Sequence, residues 1–512
     1  MIDEFEREGY WWLPEHPEKR VIGKLSHKLN QRLVLNIDDT FNTLAPLLSW
    51  FPDGLKPQVT LIYGKLIDGK FVSLFNCDIE ETTTGENLVN LQVNPEMLLY
   101  NIYFQNNYLL NKEDLNKFQK LRVDFSSLNE WVKISPLDMK SEISSTGEIK
   151  QVKVTYEQLP NIKLGVIKEL ELSIYFVPIF NLRSTESADI KYIIGLEIVN
   201  KNSSSLEDCK NLVIQFRDFL SFATYSSNQI VSVHARHDKN DSQYPDKMTP
   251  IEIIWNEIKL SKNSDYVHHR SKMLLTYDNV KDDLEKIFQN WIDKREKFKI
   301  VFQELLINIY NPELYLEYKF LNIVQALEIY HKQTQKGKHK IEYMSQDSYQ
   351  NGIYQKLREV IQNYPMEEDF KRFLDGKVKY LFKVEKNLKD RLRDIIDNIS
   401  YLFVDNNDDT KQSFADTFNS QDDSLFSRIT QDQNELDKFL KRVVYIRNNL
   451  IVHPDKEIKI KNQELYDLLC TVTLILQTCL LIEIEVSNNT IKAIIKNRMR
   501  NQNEWLGEDK YN

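Results

Sequence analysis

ELDKFLKRVVYIRNNLIVHPD, residues 435–455, decides how the second half of the chain folds. Leu436, Phe439, Leu440, Val443, Val444, Leu450 and Ile451 recur at intervals that lay one apolar face along a helix. Pro454 ends it, because the residue before a proline is pushed out of the helical region. His453 is therefore expected to be the first residue past the helix, with Arg447 about one and a half turns back. The break turns the histidine back towards the arginine. A helix C-terminus also favours a protonated imidazole, which suits a proton carrier.

The same three- and four-residue spacing fills nearly everything from about Val280 onward: DDLEKIFQNWIDKREKFKIVFQELLINIY, ELYLEYKFLNIVQALEIYHKQ, NGIYQKLREVIQNY, NLKDRLRDIIDNI and ELYDLLCTVTLILQTCLLIEI. A helix bundle over residues 281–512 is expected, with FVDNNDDTKQSFADTFNSQDDS (403–424) as an acidic loop inside it. Up to about residue 200 the period is two. QVTLIYGKLIDGKFVSLFNCDIE (58–80) reads as a hairpin turning at Asp68-Gly69. KLRVDFSSLNEWV, IKQVKVTY, LELSIYFVPIF and IKYIIGLEIVN continue the strand pattern, LEDCKNLVIQFRDFLSFA interrupts it with an amphipathic helix, and short strands return near Ile230 to His234. The expected class is α+β: a β-rich, sandwich-like domain over residues 1–280, then an all-α bundle. No internal repeat is visible.

A chain of 512 residues is too long for one ordinary core. Its composition, 41% apolar and 28% charged, is that of a globular protein. The net charge of −9 argues against a broad basic face that coats nucleic acid, while leaving room for a small basic site. The acidic, polar start MIDEFEREGYWW is unlike a signal peptide, so a cytoplasmic protein is expected. The apolar run Leu468–Ile482 contains Thr471, Thr473, Gln477 and Thr478 and is too short to span a bilayer; it reads as a buried helix, and no membrane contact is expected. Four cysteines make no disulfide framework, and Cys470 and Cys479 lie on opposite faces of their helix.

Several stretches imitate chemistry. Gly64 to Lys70 has the glycine spacing of a phosphate-binding loop, but Phe71 stands where Ser or Thr would bind magnesium, and Gly69 belongs to a hairpin. His234, His237 and Asp238, and the pair His268-His269, lack the further ligands a metal site needs. Asp405, Asn407 and Asp409 lack the glycine and closing glutamate of a calcium loop. Trp11-Trp12 beside Pro14 reads as a packing anchor more readily than as a stacking platform. No cofactor and no metal is expected.

An arginine four to six residues before a histidine is weak evidence alone: with nine histidines and three spacings, roughly one match arises by chance. Arg20 and His27 form a second match, in a strand-like segment. From spacing and context, Arg447 and His453 read equally as a surface arginine with a helix-capping histidine and as a working pair. Their surroundings resemble HEPN domains, closely the ApeA-like branch found in anti-phage proteins: FLNIVQALEIYHK (320–332), the RLRDII helix, RNNLIVH, then a long apolar last helix. GYWWLPEHPEKRVIGKL, IYGKLIDGKFVSLFNC, LRVDFSSLNEWV and the helix after them resemble the ApeA N-terminal domain, so the likeness covers nearly the whole chain.

The resemblance implies a metal-independent endoribonuclease active in abortive anti-phage defence, cutting RNA such as tRNA by attack of the substrate's own 2′-hydroxyl. Arg447 would stabilise the phosphate's developing charge, His453 would move the proton, and Asn448 would orient substrate or histidine. It also implies a homodimer through the bundle and a β-rich domain that senses a phage-derived trigger. HEPN proteins partnered with a nucleotidyltransferase often carry a tyrosine two residues after the histidine; here that position is Asp455. The competing expectation is a bundle that only dimerises and binds an anion, beside a ligand-binding β domain.

Overall fold

The alternating pattern at 58–80 folds as the hairpin it spells. Gly69, at φ 88°, takes the left-handed conformation its turn requires between β4 (Gln58–Leu66) and β5 (Phe71–Thr83). The computed structural model describes residues 4–28, 32–38, 58–83, 89–101, 118–182, 188–200, 204–237, 250–256, 270–334, 340–342, 344–381, 383–403, 424–452 and 460–501. The chain divides into two compact units, Met1–Ile292 and Asp293–Asn512.

In the first unit β1 (Phe5–Trp12), β2 (Val21–His27), β3 (Val34–Asp38) and β6 (Val89–Asn101) join β4 and β5 in a closed antiparallel ring, β6-β3-β2-β1-β4-β5 and back to β6. Its interior is packed: Trp11, Leu25, Leu35, Ile62, Val72, Leu74 and Val93 form one buried cluster. Trp11 is fully buried and its indole N–H donates to the Gly23 carbonyl at 3.1 Å, so it is a packing anchor.

The strand β6 serves two sheets. Leu91 and Val93 in its first half pair with β3, while Met97 to Asn101 in its second half pair with β14 (Pro250–Trp255). Between the halves sits Pro95, which has no N–H to give a neighbour. Asn256 closes this gap: its amide donates to the Pro95 carbonyl at 2.7 Å, and its side-chain oxygen accepts the Leu33 N–H at 2.6 Å. From β14 the sheet continues through β13 (Ile230–His237), β7 (Phe118–Phe125), β12 (Ala188–Asn200) and β11 (Leu170–Leu182) to β10 (Ile162–Ile167). Two further strands, β8 (Leu137–Ile143) and β9 (Ile149–Tyr156), form a separate hairpin. The α+β class read from the sequence holds, with the strands in a ring and an open sheet where two stacked sheets were expected. Alternation along a strand does not encode which strands close on each other.

The expected strand through LNEWV is instead the short helix α1 (Leu128–Val132). This turn buries Trp131 and lets its indole donate to the Leu275 carbonyl at 2.8 Å. The helix α2 (Leu206–Thr224) starts on a capping box of Ser205 and Asp208 and lays Phe216, Phe219 and Phe222 on Phe125, Trp131 and the next helix, α3 (Leu284–Lys297). Phe288 and Trp291 of α3 pack against those three phenylalanines, which carries the first unit through to Ile292.

The second unit holds α4 (Lys299–Tyr310), α5 (Leu316–Thr334), α6 (Tyr354–Asn363), α7 (Glu368–Val378), α8 (Leu388–Ser400), α9 (Leu425–Gln431), α10 (Gln433–Val452), α11 (Asn462–Glu483) and α12 (Asn488–Arg500). A two-stranded ladder, β15 (Lys340–Glu342) with β16 (Lys383–Glu385), closes the neck of the segment that carries α6 and α7. By length and composition α11 is apolar enough to cross a membrane, yet 89% of its most apolar window is buried inside the protein. All four cysteines are buried thiols, and none of them is in a disulfide. Most of the acidic loop, residues 404–423, lies outside the described residues.

A Cβ at Gly64 would overlap the Trp11 ring. Gly64→Ala should therefore overpack the barrel and destabilise the first unit by about 1–3 kcal/mol. Gly376→Ala in α7, where the added carbon meets nothing within 4 Å, should not destabilise the protein. Thermal unfolding followed by circular dichroism separates the two.

Candidate active site

Arg447 lies near the end of α10, whose buried stripe is Leu436, Phe439, Leu440, Val443 and Ile446. Ile446 continues the stripe where the sequence reading passed it over, and Val444 and Leu450 are only half-buried. The helix is described through Val452, directly before His453; His453, Pro454 and Asp455 lie outside the described residues.

The Arg447 guanidinium is 34% exposed and has two described partners. Its Nη1 donates to the Oδ1 of the exposed Asn448 at 3.2 Å, and its Nη2 donates to Oε2 of Glu328 on α5 at 3.4 Å. The other carboxylate oxygen of Glu328 accepts Nη1 of Arg391 on α8 at 2.6 Å, and the Lys332 ammonium lies 3.8 Å from it. Arg391 is 4% exposed and reaches on to Glu385 of β16 at 3.3 Å. One carboxylate thus joins three helices and holds Arg447 from one side. A guanidinium has five N–H donors, so this hold leaves capacity for a phosphate.

One turn further along both α5 and α8, His331 Nε2 lies 2.7 Å from Asp394 Oδ2, which also takes the Lys386 ammonium. His331 is fully buried, and its Nδ1 has no hydrogen-bond partner among the described residues. Burial pushes its imidazole below the ordinary histidine range, against the opposing pull of Asp394. For Asp394, burial acts upward, but the Lys386 ammonium and His331 outweigh it and hold the carboxyl below the usual carboxylate range.

Arg20 and His27 are not brought together. The Arg20 Nε donates to the Pro17 carbonyl at 3.2 Å, with its guanidinium over the Trp12 ring, whereas His27 is buried in β2. The false phosphate loop is a hairpin, His234 sits half-buried on β13, and His268, His269, Asp405, Asn407 and Asp409 lie outside the described residues. Among the described residues no group of three or more His, Cys, Asp or Glu side chains is placed to hold a metal ion. The sequence reading missed Glu328 and Arg391. Their signal is present in FLNIVQALEIYHK, where a glutamate interrupts an apolar stretch, and at the head of RLRDII.

The fold and the site define a protein of two parts, a β-rich unit followed by a helical HEPN bundle. The chain belongs to the ApeA family: residues 6–291 match ApeA N-terminal domain 1 and residues 321–490 match the Apea-like HEPN domain. The second match takes in Glu328, Arg391, Arg447 and His453. No curated protein and no solved structure matches the chain.

Glu328→Ala should destabilise the bundle by about 2–3 kcal/mol, somewhat below the cost of breaking a fully buried pair, because Arg391 loses its shortest ion pair. Chemical denaturation followed by helical signal measures this. A second outcome concerns pH. Lowered folded values mean that His331 and Asp394 contribute stability fully above their unfolded values and lose it as pH falls, beginning for His331 below about 6.5. The stability difference between the parent and His331→Gln should therefore shrink between neutral pH and mildly acidic pH.

Proposed function

We propose that the protein is an anti-phage endoribonuclease that cuts RNA, tRNA included, without a metal. The substrate's 2′-hydroxyl oxygen bonds to the adjacent phosphorus as the bond to the 5′-oxygen breaks, leaving a 2′,3′-cyclic phosphate and a 5′-hydroxyl. His453 carries the proton between the 2′-hydroxyl and the departing oxygen, acting as base and then acid through one exchange. Arg447 pairs with the phosphate as negative charge builds on it, a role its planar fork suits better than an ammonium. Asn448 orients the substrate or the histidine.

The observation that supports this reading is the half-exposed Arg447 guanidinium, held from one side by Glu328 at the end of α10, immediately ahead of His453. A side chain fixed before substrate arrives loses little further freedom on binding it. The same observation favours one competing reading. An arginine already paired with a carboxylate has a structural job, and the bundle then serves only to dimerise and bind an anion. In our reading the bundle forms a homodimer that juxtaposes two such pairs, the protein works in the cytoplasm, and the β-rich domain, residues 1 to about 280, holds it at a low but measurable activity that rises when a phage-derived component binds.

Incubating pure protein with total tRNA in the presence of EDTA decides between the readings. Cleavage is expected, and Arg447→Ala and His453→Ala should each lower it by about a hundredfold or more. Arg20→Ala should leave it unchanged. Intact tRNA with the parent protein favours the anion-binding module. Sedimentation should find a dimer at micromolar concentration, and an active monomer would remove the two-copy site.

A further inference from the structure

The helices α6 and α7 leave their apolar sides uncovered. Only Tyr354 and Ile361 of α6 are buried, and no residue of α7 is. Phe370 and Phe373, one turn apart on α7, are 51% and 55% exposed; their rings lie nearly parallel at 14°, with centroids 6.1 Å apart. Tyr380 just beyond is 59% exposed. Adjacent exposed rings that form one face, unlike apolar residues scattered singly, mark interaction sites.

The charges around them say which kind. FKRFLDGKVKYL, residues 370–381, sets four cations against the single carboxylate of Asp375, in a chain whose net charge is −9. Lys371 and Arg372 pair back to Glu368 and Asp369 at 3.1 and 3.2 Å. Lys377 and Lys379 have no carboxylate partner among the described residues; their ammonium groups lie over the Phe373 and Tyr380 rings at 5.4 and 5.5 Å. Aromatic faces interleaved with cations match single-stranded nucleic acid, whose bases stack while its phosphates need counter-charge.

The place of this segment in the fold links it to Arg447. It hangs from the β15–β16 neck, and Glu385, the last residue of β16, is bonded to Arg391. Arg391 shares Glu328 with Arg447. We propose that α6 and α7 form a docking arm for single-stranded RNA, in which Phe370 and Phe373 stack on bases and Lys377 and Lys379 meet phosphates, holding a strand whose neighbouring segment reaches Arg447. The inference rests on the reading of RNA as substrate.

The test uses the full chain carrying Arg447→Ala, so that bound RNA survives, and fluorescence anisotropy with a short labelled single-stranded RNA. Adding Phe370→Ala with Phe373→Ala should weaken binding about tenfold or more, since two base–aromatic stacks are lost. Adding Lys377→Ala with Lys379→Ala instead should flatten the salt dependence by about one to two charges. Should the phenylalanine pair prove necessary for folding, the exposed lysine pair decides alone. Unchanged affinity and salt dependence in the folded variants overturns the proposal. So does a dimer that falls to monomer with RNA affinity intact, which would make the face a contact between copies. If the parent chain cuts no RNA while the arm variants lose binding, the arm stands and the ribonuclease reading falls. If Arg447→Ala stops cleavage while the arm variants bind normally, the arm falls and the ribonuclease stands.

Discussion

The second unit is organised around one carboxylate. Glu328 takes Arg391 on one oxygen and Arg447 on the other, and in doing so sets the register of α5, α8 and α10 against each other. Arg391 is almost wholly removed from water, so its charge is tolerable only while Glu328 and Glu385 stay within reach. The His331–Asp394 bond repeats the α5–α8 contact three residues on along both helices. Two polar rungs at the same step forbid α8 from sliding along α5, which apolar packing alone would permit at lower cost. On its other side α8 sends Arg393 and Lys389 to Asp437 of α10, and α10 is tied to α11 by the two-pronged Arg442–Glu464 pair. The candidate active arginine is thus an outer, partly exposed guanidinium of a network whose innermost member is Arg391.

The first unit solves a different problem with the same economy of polar groups. A thirteen-residue strand, β6, must belong to a closed ring at one end and an open sheet at the other. The change of partner falls at Pro95, where no N–H needs one, and opposite it Asn76 takes a left-handed φ of 50° and donates to Glu96. Asn256 then satisfies the carbonyls and the N–H that the change would strand. Pro178 in β11 follows the same logic. It lies beyond the stretch paired with β10, so the side on which it lacks a donor has no strand to bond.

Local features were legible in the sequence. The Asp68-Gly69 hairpin and the α2 and α10 periodicities each depend on residues within a turn or two of one another, where spacing and backbone preference suffice. Ring closure was not legible, because it pairs β1 with β4 and β3 with β6 across long intervals, and alternating patterns are alike whichever neighbour they meet. LNEWV misled because Trp131 alternates as a strand residue would, while its real constraint is the distant Leu275 carbonyl. For the site, Arg447 and Asn448 stood out by motif, whereas Glu328 and Arg391 carry no motif. A glutamate in an apolar helix announces a buried partner without naming it, and the partner is 63 residues away.

The closing of β5 onto β6 has a consequence for association. An open sheet of twelve strands would present two free margins to other chains; here one margin is consumed by the ring, and among the described strands of that sheet β10 is the one left at a margin. That strand has six residues, with its register broken between Lys163 and Gly165. Short, irregular margins make poor templates for adding a foreign strand. The twelve-stranded sheet thus offers other chains little edge to extend, whatever its size.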